Sequence, residues 1–151
     1  MPINFRRLKL NEKLSKSLED YLEAILIIKK QKGEVRVKDL MEFFNYKVSS
    51  VNQAIKQLKA KKLVEHQNYG SIKLTEEGKS LANKIYKKHT ALVNFFNTIL
   101  GVKMEIAEYD ACSFEHYIHE ETYKKFKKLT KFFTKNPDCL ENLKKFLGDE
   151  K

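Results

Sequence analysis

The stretch KDLMEFFNYKVSSVNQAIKQLKAKKLVEHQNYGSIKL, residues 38–74, decides the fold. It begins with a short predicted helix, 38–44, whose apolar side chains we expect in the core: Leu40, Met41, Phe43 and Phe44. Only residues 45–47 separate this helix from a second one, which Ser49 or Ser50 can cap and which runs to about Lys62. Two short helices joined by so short a connection form a helix-turn-helix.

A predicted β-hairpin follows this helix pair directly. Residues 63–67 and 71–74 have the composition of strands, and a turn containing Gly70 joins them. A helix-turn-helix followed at once by a hairpin is a winged helix. Apolar periodicity predicts further helices over about 17–30, 75–101, 103–133 and 139–147. The predicted fold class is therefore mostly α, an N-terminal winged helix-turn-helix with a small β-hairpin wing followed by an all-helical domain.

Two of these helices have clear end signals. Ser17 is a good N-cap for the first helix, because Glu19 and Asp20 follow it in the first turn and interact favourably with the helix dipole. Thr75 is a good N-cap for the long helix, and Gly101 is suited to end it in a left-handed conformation.

The second helix of the helix-turn-helix carries short polar side chains and lysines at its start. Asparagine and glutamine can pair with the edge of adenine in the major groove, and lysine can reach phosphates. A basic arm precedes the first helix, and its arginines are candidates for phosphate contacts. The residues that we expect to contact DNA are Lys47, Ser49, Ser50, Asn52, Gln53, Lys56, Tyr69, Arg6 and Arg7.

Composition restricts the class of protein. The formal net charge of +10 fits a polyanionic partner. No segment approaches the roughly 18 apolar residues of a membrane span, and the N-terminus lacks the apolar core of a signal peptide. Two cysteines, Cys112 and Cys139, make no disulfide framework. We therefore expect a cytoplasmic protein with no membrane partner and no small-molecule substrate. It lacks the motifs of a hydrolase, so we expect no enzyme.

Residues 110–119, DACSFEHYIH, bring a thiol, a carboxylate and imidazoles into one short segment. If the segment is helical, one arc carries Glu108, Cys112, Glu115, His116 and His119. Such spacing lets ligands of borderline transition metals converge. The alternative is an amphipathic helix with a buried cysteine and a surface Glu-His pair.

Three residues elsewhere have the same two interpretations. Asp20 and Glu23 lie one turn apart on the first helix, where they are either partly buried ligands or an exposed acidic first turn. His89 lies on the apolar stripe of the long helix, as either a ligand or a core histidine.

In their order and spacing, these features resemble the diphtheria toxin repressor family of metal-dependent regulators, including its manganese-responsive branch. The resemblance rests on residues 17–23, 49–53, 74–78, 89 and 111–116. It implies a winged-helix DNA-binding domain with a basic arm at 1–74, a connecting helix at 75–101, and a helical metal-binding and dimerisation domain at 102–151. Two metal sites are implied near the junction of the domains.

The resemblance also assigns the ligands. One site is implied to use Asp20, Cys112, Glu115 and His116, and the second Glu23 and His89 with shared carboxylates. Glu108 is a lesser candidate. At position 20 the Asp resembles the residue of the manganese-responsive branch, whereas iron-responsive relatives carry Met there. At position 112 the Cys resembles the residue of the iron-responsive branch. Val93 stands where some relatives have a further Glu ligand.

The predicted function is a metal-dependent transcriptional repressor that binds double-stranded operator DNA as a homodimer when loaded with Fe2+ or Mn2+ and controls metal homeostasis genes. Co2+, Zn2+ or Ni2+ are expected to substitute in vitro. One alternative is a winged-helix repressor that responds to redox state or to a small molecule through Cys112, without a metal. Another is an architectural nucleic-acid binder, whose affinity would not depend on metal.

Overall fold

The computed structural model describes residues 14–67 and 70–148. These residues form the elements α1 (Lys16–Lys32), α2 (Val37–Phe44), α3 (Val48–Ala60), β1 (Val64–His66), β2 (Ile72–Leu74), α4 (Glu76–Asn94), a π-helical turn (Phe95–Ile99), α5 (Met104–Phe114), α6 (Glu120–Lys135) and α7 (Pro137–Leu147). The mostly α fold with an N-terminal winged helix-turn-helix is confirmed. None of the described helices is long and apolar enough to cross a membrane.

The first hydrophobic core lies among α1, α2, α3 and the hairpin. Its most deeply buried large side chains include Leu22, Ile25, Leu40 and Leu58. The strands pair antiparallel with Val64 opposite Leu74, and the hairpin buries Ile72 in the same core. The hairpin also contacts the segment before α2, because the Ile72 N–H donates a hydrogen bond to the Val35 carbonyl at 2.7 Å.

Some local predictions for the winged helix are wrong. Ser15, rather than Ser17, caps α1, and its hydroxyl accepts a hydrogen bond from the Leu18 N–H at 3.4 Å. Lys47 occupies the cap position of α3 without a side-chain hydrogen bond, so Ser49 and Ser50 lie inside the first turn. The reason is that the extended backbone conformation required of a cap falls at Ser15 and Lys47.

The expectation that Phe43 belongs to the core is also wrong, because the residue is 50% exposed. It packs edge-to-face on Phe44 at the outer side of α2, and Phe44 itself packs against the first core.

The long helix α4 passes through both hydrophobic cores. Thr75 caps it as predicted, accepting a hydrogen bond from the Gly78 N–H at 3.0 Å. Its first half contributes Ala82 to the first core, and its second half contributes Leu92 to a second core with α5 and α6. The predicted end also holds, since Gly101 has a φ of 72° after the π-helical turn.

Gly78 marks a close approach between α4 and the hairpin. A Cβ atom at this glycine would lie only 1.9 Å from the Leu63 carbonyl oxygen. Thr75 strengthens the same junction, because its hydroxyl donates to the Lys62 carbonyl at 2.8 Å and its N–H donates to the Leu63 carbonyl at 3.1 Å. The start of α4 is therefore fixed to the winged helix.

The segment predicted as one helix over 103–133 is interrupted. α5 ends at Phe114, and residues 115–119 form a turn before α6. Glu115 and His116 therefore follow the helix rather than lying on its face, and His119 is the N-cap residue of α6. The turn is held in place by Ile118, which is 7% exposed and belongs to the second core.

Candidate metal centre

Acidic, imidazole and thiol side chains come together between α1, α4 and the turn after α5. Two groups have ligand atoms that all lie within 4.8 Å of one another. The members of cluster 1 are Asp20, Cys112, Glu115 and His116. The members of cluster 2 are Glu23, His89 and Glu115. The structure thus brings together all six residues that the sequence predicts as principal metal ligands.

Cluster 1 is centred on His116, which is 3% exposed. Its Nε2 atom lies 2.7 Å from Asp20 Oδ1 and 3.3 Å from Glu115 Oε1. Burial alone lowers the pKa of His116, but contacts with Asp20, Cys112 and Glu19 outweigh burial and raise the pKa to about 11. In the metal-free protein His116 is therefore a cation, and it must release a proton to coordinate a metal.

Cluster 2 is centred on His89. Its Nδ1 donates to Glu115 Oε2 and its Nε2 donates to Glu108 Oε2, both at 2.8 Å. The hydrogen bond to Glu115 is the main cause that raises the pKa of His89 to about 9, against the effect of burial. The ring of His89 thus contacts carboxylates, although its helix position belongs to an apolar stripe.

Glu23 completes cluster 2 from α1 and is 8% exposed. Burial, reinforced by the negative charge of Glu115, raises the pKa of Glu23 to about 7. The alternative interpretation of Glu23 as part of an exposed acidic turn is wrong. Asp20 is less deeply buried, with a quarter of its side chain exposed.

The residues present fit a divalent cation. Within the described part of the chain, three buried carboxylate oxygens lack a hydrogen bond of good geometry, namely Asp20 Oδ1, Glu23 Oε1 and Glu115 Oε1, and the first and last of them share the single Nε2 of His116 at 2.7 and 3.3 Å. Buried polar atoms without partners are costly, and buried negative charges need a counter-ion. Carboxylate oxygen and imidazole nitrogen suit Mn2+ or Fe2+, and a thiolate adds a softer ligand. Cys112 is a free, partly buried thiol in this ligand set.

Glu19 also lies at this site, although the sequence pattern predicts no role for it there. This residue is 7% exposed, and its carboxylate accepts a hydrogen bond from His116 Nδ1 at 2.5 Å. Its spacing of four residues from Glu23 is the signal that could have revealed it, because residues four apart share a helix face.

Two further residues with side chains of metal-binding type lie away from the clusters. His119 is exposed at the start of α6, and Cys139 is exposed on α7. Glu108, the lesser candidate, contacts cluster 2 only through His89, and about half of its side chain is exposed.

The predicted DNA-contacting residues on α3 and before it are all exposed: Lys47, Ser49, Ser50, Asn52, Gln53 and Lys56. A groove between α3 and the hairpin is lined in part by Asn52, Arg36 and Lys38. Tyr69, Arg6 and Arg7 lie outside the described residues.

A winged helix-turn-helix joined to a helical unit, with metal-type ligands gathered between the two, defines the class of metal-dependent transcription regulators. More particularly, residues 13–72 match the model of the iron dependent repressor N-terminal DNA binding domain. Residues 75–147 match the iron dependent repressor metal binding and dimerisation domain. The chain therefore belongs to the iron-dependent repressor family, also known as the diphtheria toxin repressor family. It is a transcription regulator and not an enzyme.

Individual relatives support this membership. The chain is 35% identical over 115 residues to the uncharacterized HTH-type transcriptional regulator MJ0568 of Methanocaldococcus jannaschii, covering 76% of this chain and 92% of the relative. It is 29% identical to the HTH-type transcriptional regulator MntR of Listeria welshimeri over 128 residues, covering 85% of this chain and 89% of the relative.

Solved structures show the same fold. A manganese-dependent transcriptional repressor in complex with manganese superposes with a TM-score of 0.69 at 24% identity, covering 76% of this chain and 53% of that one. IdeR of T. acidophilum gives a TM-score of 0.63 at 27% identity, covering 77% of this chain and 54% of that one. The chain thus spans about half the length of these two proteins.

Proposed function

We propose that this protein represses transcription by binding double-stranded operator DNA as a homodimer when Fe2+ or Mn2+ is bound by the two clusters beside α1. One observation carries the proposal: the two clusters draw their members from α1, from α4 and from α5 with the turn after it. A cation bound by Asp20 or Glu23 together with Glu115 would fix the winged helix relative to the helical unit. Because its proposed partner is operator DNA, we expect the protein in the cytoplasm.

The DNA-binding side of the proposal rests on α3. Its polar first turn is exposed, and Gln53 projects from the same helix whose Val51 and Leu58 are buried in the first core. Two such helices in a symmetric dimer would have to be separated by about 34 Å to enter successive major grooves. The metal favours this arrangement only to the extent that it binds the arrangement more tightly than others. DNA must in return raise the affinity for metal by the same factor by which metal raises the affinity for DNA.

The homodimer is proposed from exposed apolar side chains on the helical unit. Residues of α5 and of the turn after it are between 47% and 75% exposed, namely Met104, Ile106, Tyr109, Phe114 and Tyr117. Several exposed apolar side chains on one short segment are typical of a protein interface. A second copy related by twofold symmetry would cover it with the same surface. The division of the chain at residues 74 and 101 stays a prediction.

The ligand set leaves the choice between the two metals to Cys112. Carboxylates and histidine accept both Mn2+ and Fe2+, whereas a thiolate favours Fe2+. Co2+ and Ni2+ stand above both in the general order of affinity, and Zn2+ also binds such sites tightly, so we expect all three to bind in vitro. Binding in vitro therefore does not identify the metal in the cell.

The test uses metal-stripped protein and a duplex selected from a randomised library with the Mn2+-loaded protein. Fluorescence anisotropy follows DNA binding under anaerobic conditions as Mn2+ or Fe2+ is added. We expect metal to increase the affinity for the selected duplex more than for a scrambled one. Gln53→Ala should weaken binding to the selected duplex more than to the scrambled one, because it removes a base contact.

Two histidines three residues apart provide a matched pair of variants. His116→Ala should lose the response to metal, whereas His119→Ala should keep it, because His119 is exposed outside both clusters. A wild-type response in His116→Ala would refute the assignment of the metal centre. DNA binding by the wild type that ignores metal altogether would refute the proposed function.

A redox-responsive repressor is the second candidate, because Cys112 is only partly buried and contacts His116. The two functions differ in how the thiol reacts. A ligand thiolate is protected by metal and becomes reactive when a chelator removes it, whereas a redox sensor reacts equally with and without metal. Thiol titration of Cys139→Ser protein, in which Cys112 is the remaining cysteine, distinguishes them.

A further inference from the structure

We infer that Glu19 is a positioning residue, which holds the ring of His116 with Nε2 toward cluster 1 and thereby sets the metal affinity of that site. The inference rests on the proposed function, because it assigns a role at the same metal centre. It adds to the ligand set a residue that does not itself touch the metal.

The contact between Glu19 and His116 is short, buried and between distant parts of the chain. Glu19 Oε2 accepts from His116 Nδ1 at 2.5 Å, and the two residues are 7% and 3% exposed. Water therefore has little access to replace either partner. A hydrogen bond to a carboxylate is stronger than one between neutral groups, and burial strengthens it further.

The two partners differ in how firmly their backbones are held. Glu19 lies in the first turn of α1, and its N–H donates to the Ser15 carbonyl at 3.0 Å. His116 lies in the turn between α5 and α6 and not in a helix. The helix thus provides a fixed acceptor for a ring whose own backbone segment is irregular.

An imidazole has two nitrogens on different sides of the ring, and a bond at one decides what the other can do. With Nδ1 donating to Glu19, Nε2 is the nitrogen that faces Asp20 and Glu115. A histidine that donates one N–H to a carboxylate is held in the tautomer that leaves the other nitrogen free to bind metal, and it is a stronger ligand. Glu19 and Asp20, which are adjacent on α1, thus contact opposite sides of the His116 ring.

The second histidine provides a comparison within the same molecule. His89 also has a carboxylate on the nitrogen away from its cluster, since its Nε2 donates to Glu108 at 2.8 Å. The side chain of Glu108 is 53% exposed, whereas that of Glu19 is 9% exposed. Water can replace Glu108 but has little access to replace Glu19, so loss of Glu19 should affect metal affinity more.

The test uses Co2+ as the probe and compares wild type with Glu19→Leu, Glu19→Gln and Glu77→Gln. Glu19→Leu removes the acceptor, and Glu19→Gln keeps the shape and a neutral acceptor. Glu77→Gln is the control, because Glu77 is an exposed acid in the first turn of α4. We expect Glu19→Leu to weaken Co2+ binding by about 10- to 100-fold, the usual effect of losing an outer hydrogen-bond partner. Glu19→Gln should lie between Glu19→Leu and wild type, and Glu77→Gln should match wild type.

A spectroscopic measurement separates positioning from a general loss of structure. In the proton NMR spectrum of the Co2+-loaded wild type, the Nδ1–H of a coordinated His116 should give a strongly shifted signal that is lost only slowly in D2O. In the Glu19 variants the Nδ1 proton should exchange with D2O faster. Chelator competition gives the Co2+ affinities, and thermal melting of the metal-free proteins checks that they are folded. Should Glu19→Leu fail to fold, the isosteric Glu19→Gln decides.

The outcomes are distinct. Wild-type Co2+ affinity and a wild-type NMR signal in Glu19→Gln and in any folded Glu19→Leu would overturn the role of Glu19 and leave the metal centre standing. Absence of Co2+ binding in the wild type, or full binding by His116→Ala, would overturn the proposed function and this inference with it.

Discussion

Replacement of Glu115 by glutamine tests the metal centre most directly, because Glu115 belongs to both clusters. Its side chain is fully buried, with Oε2 2.8 Å from His89 Nδ1 and Oε1 3.3 Å from His116 Nε2. Glutamine keeps the size of the side chain and removes its charge. In the metal-free protein the substitution weakens a partner of His89 but also relieves the repulsion of Glu23, so the informative quantity is the metal-induced shift in melting temperature.

The size of that shift follows from mass action. Mn2+ at about 100 times its Kd stabilises the wild type by about 2.7 kcal/mol. For a chain of about 150 residues, each kcal/mol raises the melting temperature by about 2–4 °C, so the expected shift is about 5–11 °C. Loss of a direct ligand should weaken binding by at least about 100-fold, the upper end of the effect of an outer partner. The stabilisation then falls to about 0.4 kcal/mol, or a shift of about 1–2 °C.

The assay is calorimetric melting with and without Mn2+ at one fixed concentration. Glu105→Gln is the matched control, because Glu105 is an exposed acid in the first turn of α5 and its loss changes the net charge equally. This control should keep the wild-type shift. If Glu115→Gln also keeps it, neither cluster is a metal site, and the argument from shared ligands fails.

Cys112→Ser should lower the ratio of Fe2+ to Mn2+ affinity by about tenfold or more, because a thiolate prefers the softer ion; anaerobic chelator competition measures both, and an unchanged ratio would exclude Cys112 from metal choice. The pKa values of His89, about 9, and His116, about 11, lie above the unfolded value of 6.5, so folding of the metal-free protein takes up protons. The free energy of unfolding of the metal-free protein should therefore fall as pH rises from about 6.5 to 9, which urea melts can measure. Mn2+ affinity should rise over the same range because protons compete less for the ligands. Mn2+ titrations check this, and an affinity independent of pH would contradict the coupling. Gly78→Ala should cost about 1–3 kcal/mol or more, because its Cβ would overlap the Leu63 carbonyl oxygen; equal stability in urea to Ser80→Ala, an exposed site on the same helix, would contradict this.

Local signals in the sequence were sufficient for the winged helix. The three-residue connection before α3, the hairpin turn containing Gly70 and the cap at Thr75 each act over a few residues, so their consequences can be worked out without knowing the rest of the fold. Where two local signals compete, the sequence does not decide between them: Ser15 and Ser17 are both good caps, and the extended backbone of a cap falls at Ser15.

The metal centre needed more than spacing. Asp20, His89 and His116 lie on different elements, and only the family resemblance indicated that they converge. The break after Phe114 contains neither glycine nor proline, so no local signal announces it. It arises because Ile118 enters the second core, which is a tertiary effect. The contact of Glu19 with His116 is likewise a tertiary effect, because the two residues are 97 positions apart.

Because α4 contributes side chains to both hydrophobic cores, a continuous helix rather than a flexible linker connects the winged helix to the helical unit. Their relative motion is then restricted to bending of α4 and widening of the gap between α1 and the turn after α5. His89 lies between Ala82 and Leu92, where such bending would occur. With so few degrees of freedom, ordering the halves costs little conformational entropy. A coupling free energy of only about 1–3 kcal/mol between metal and DNA is therefore enough to give a usable switch.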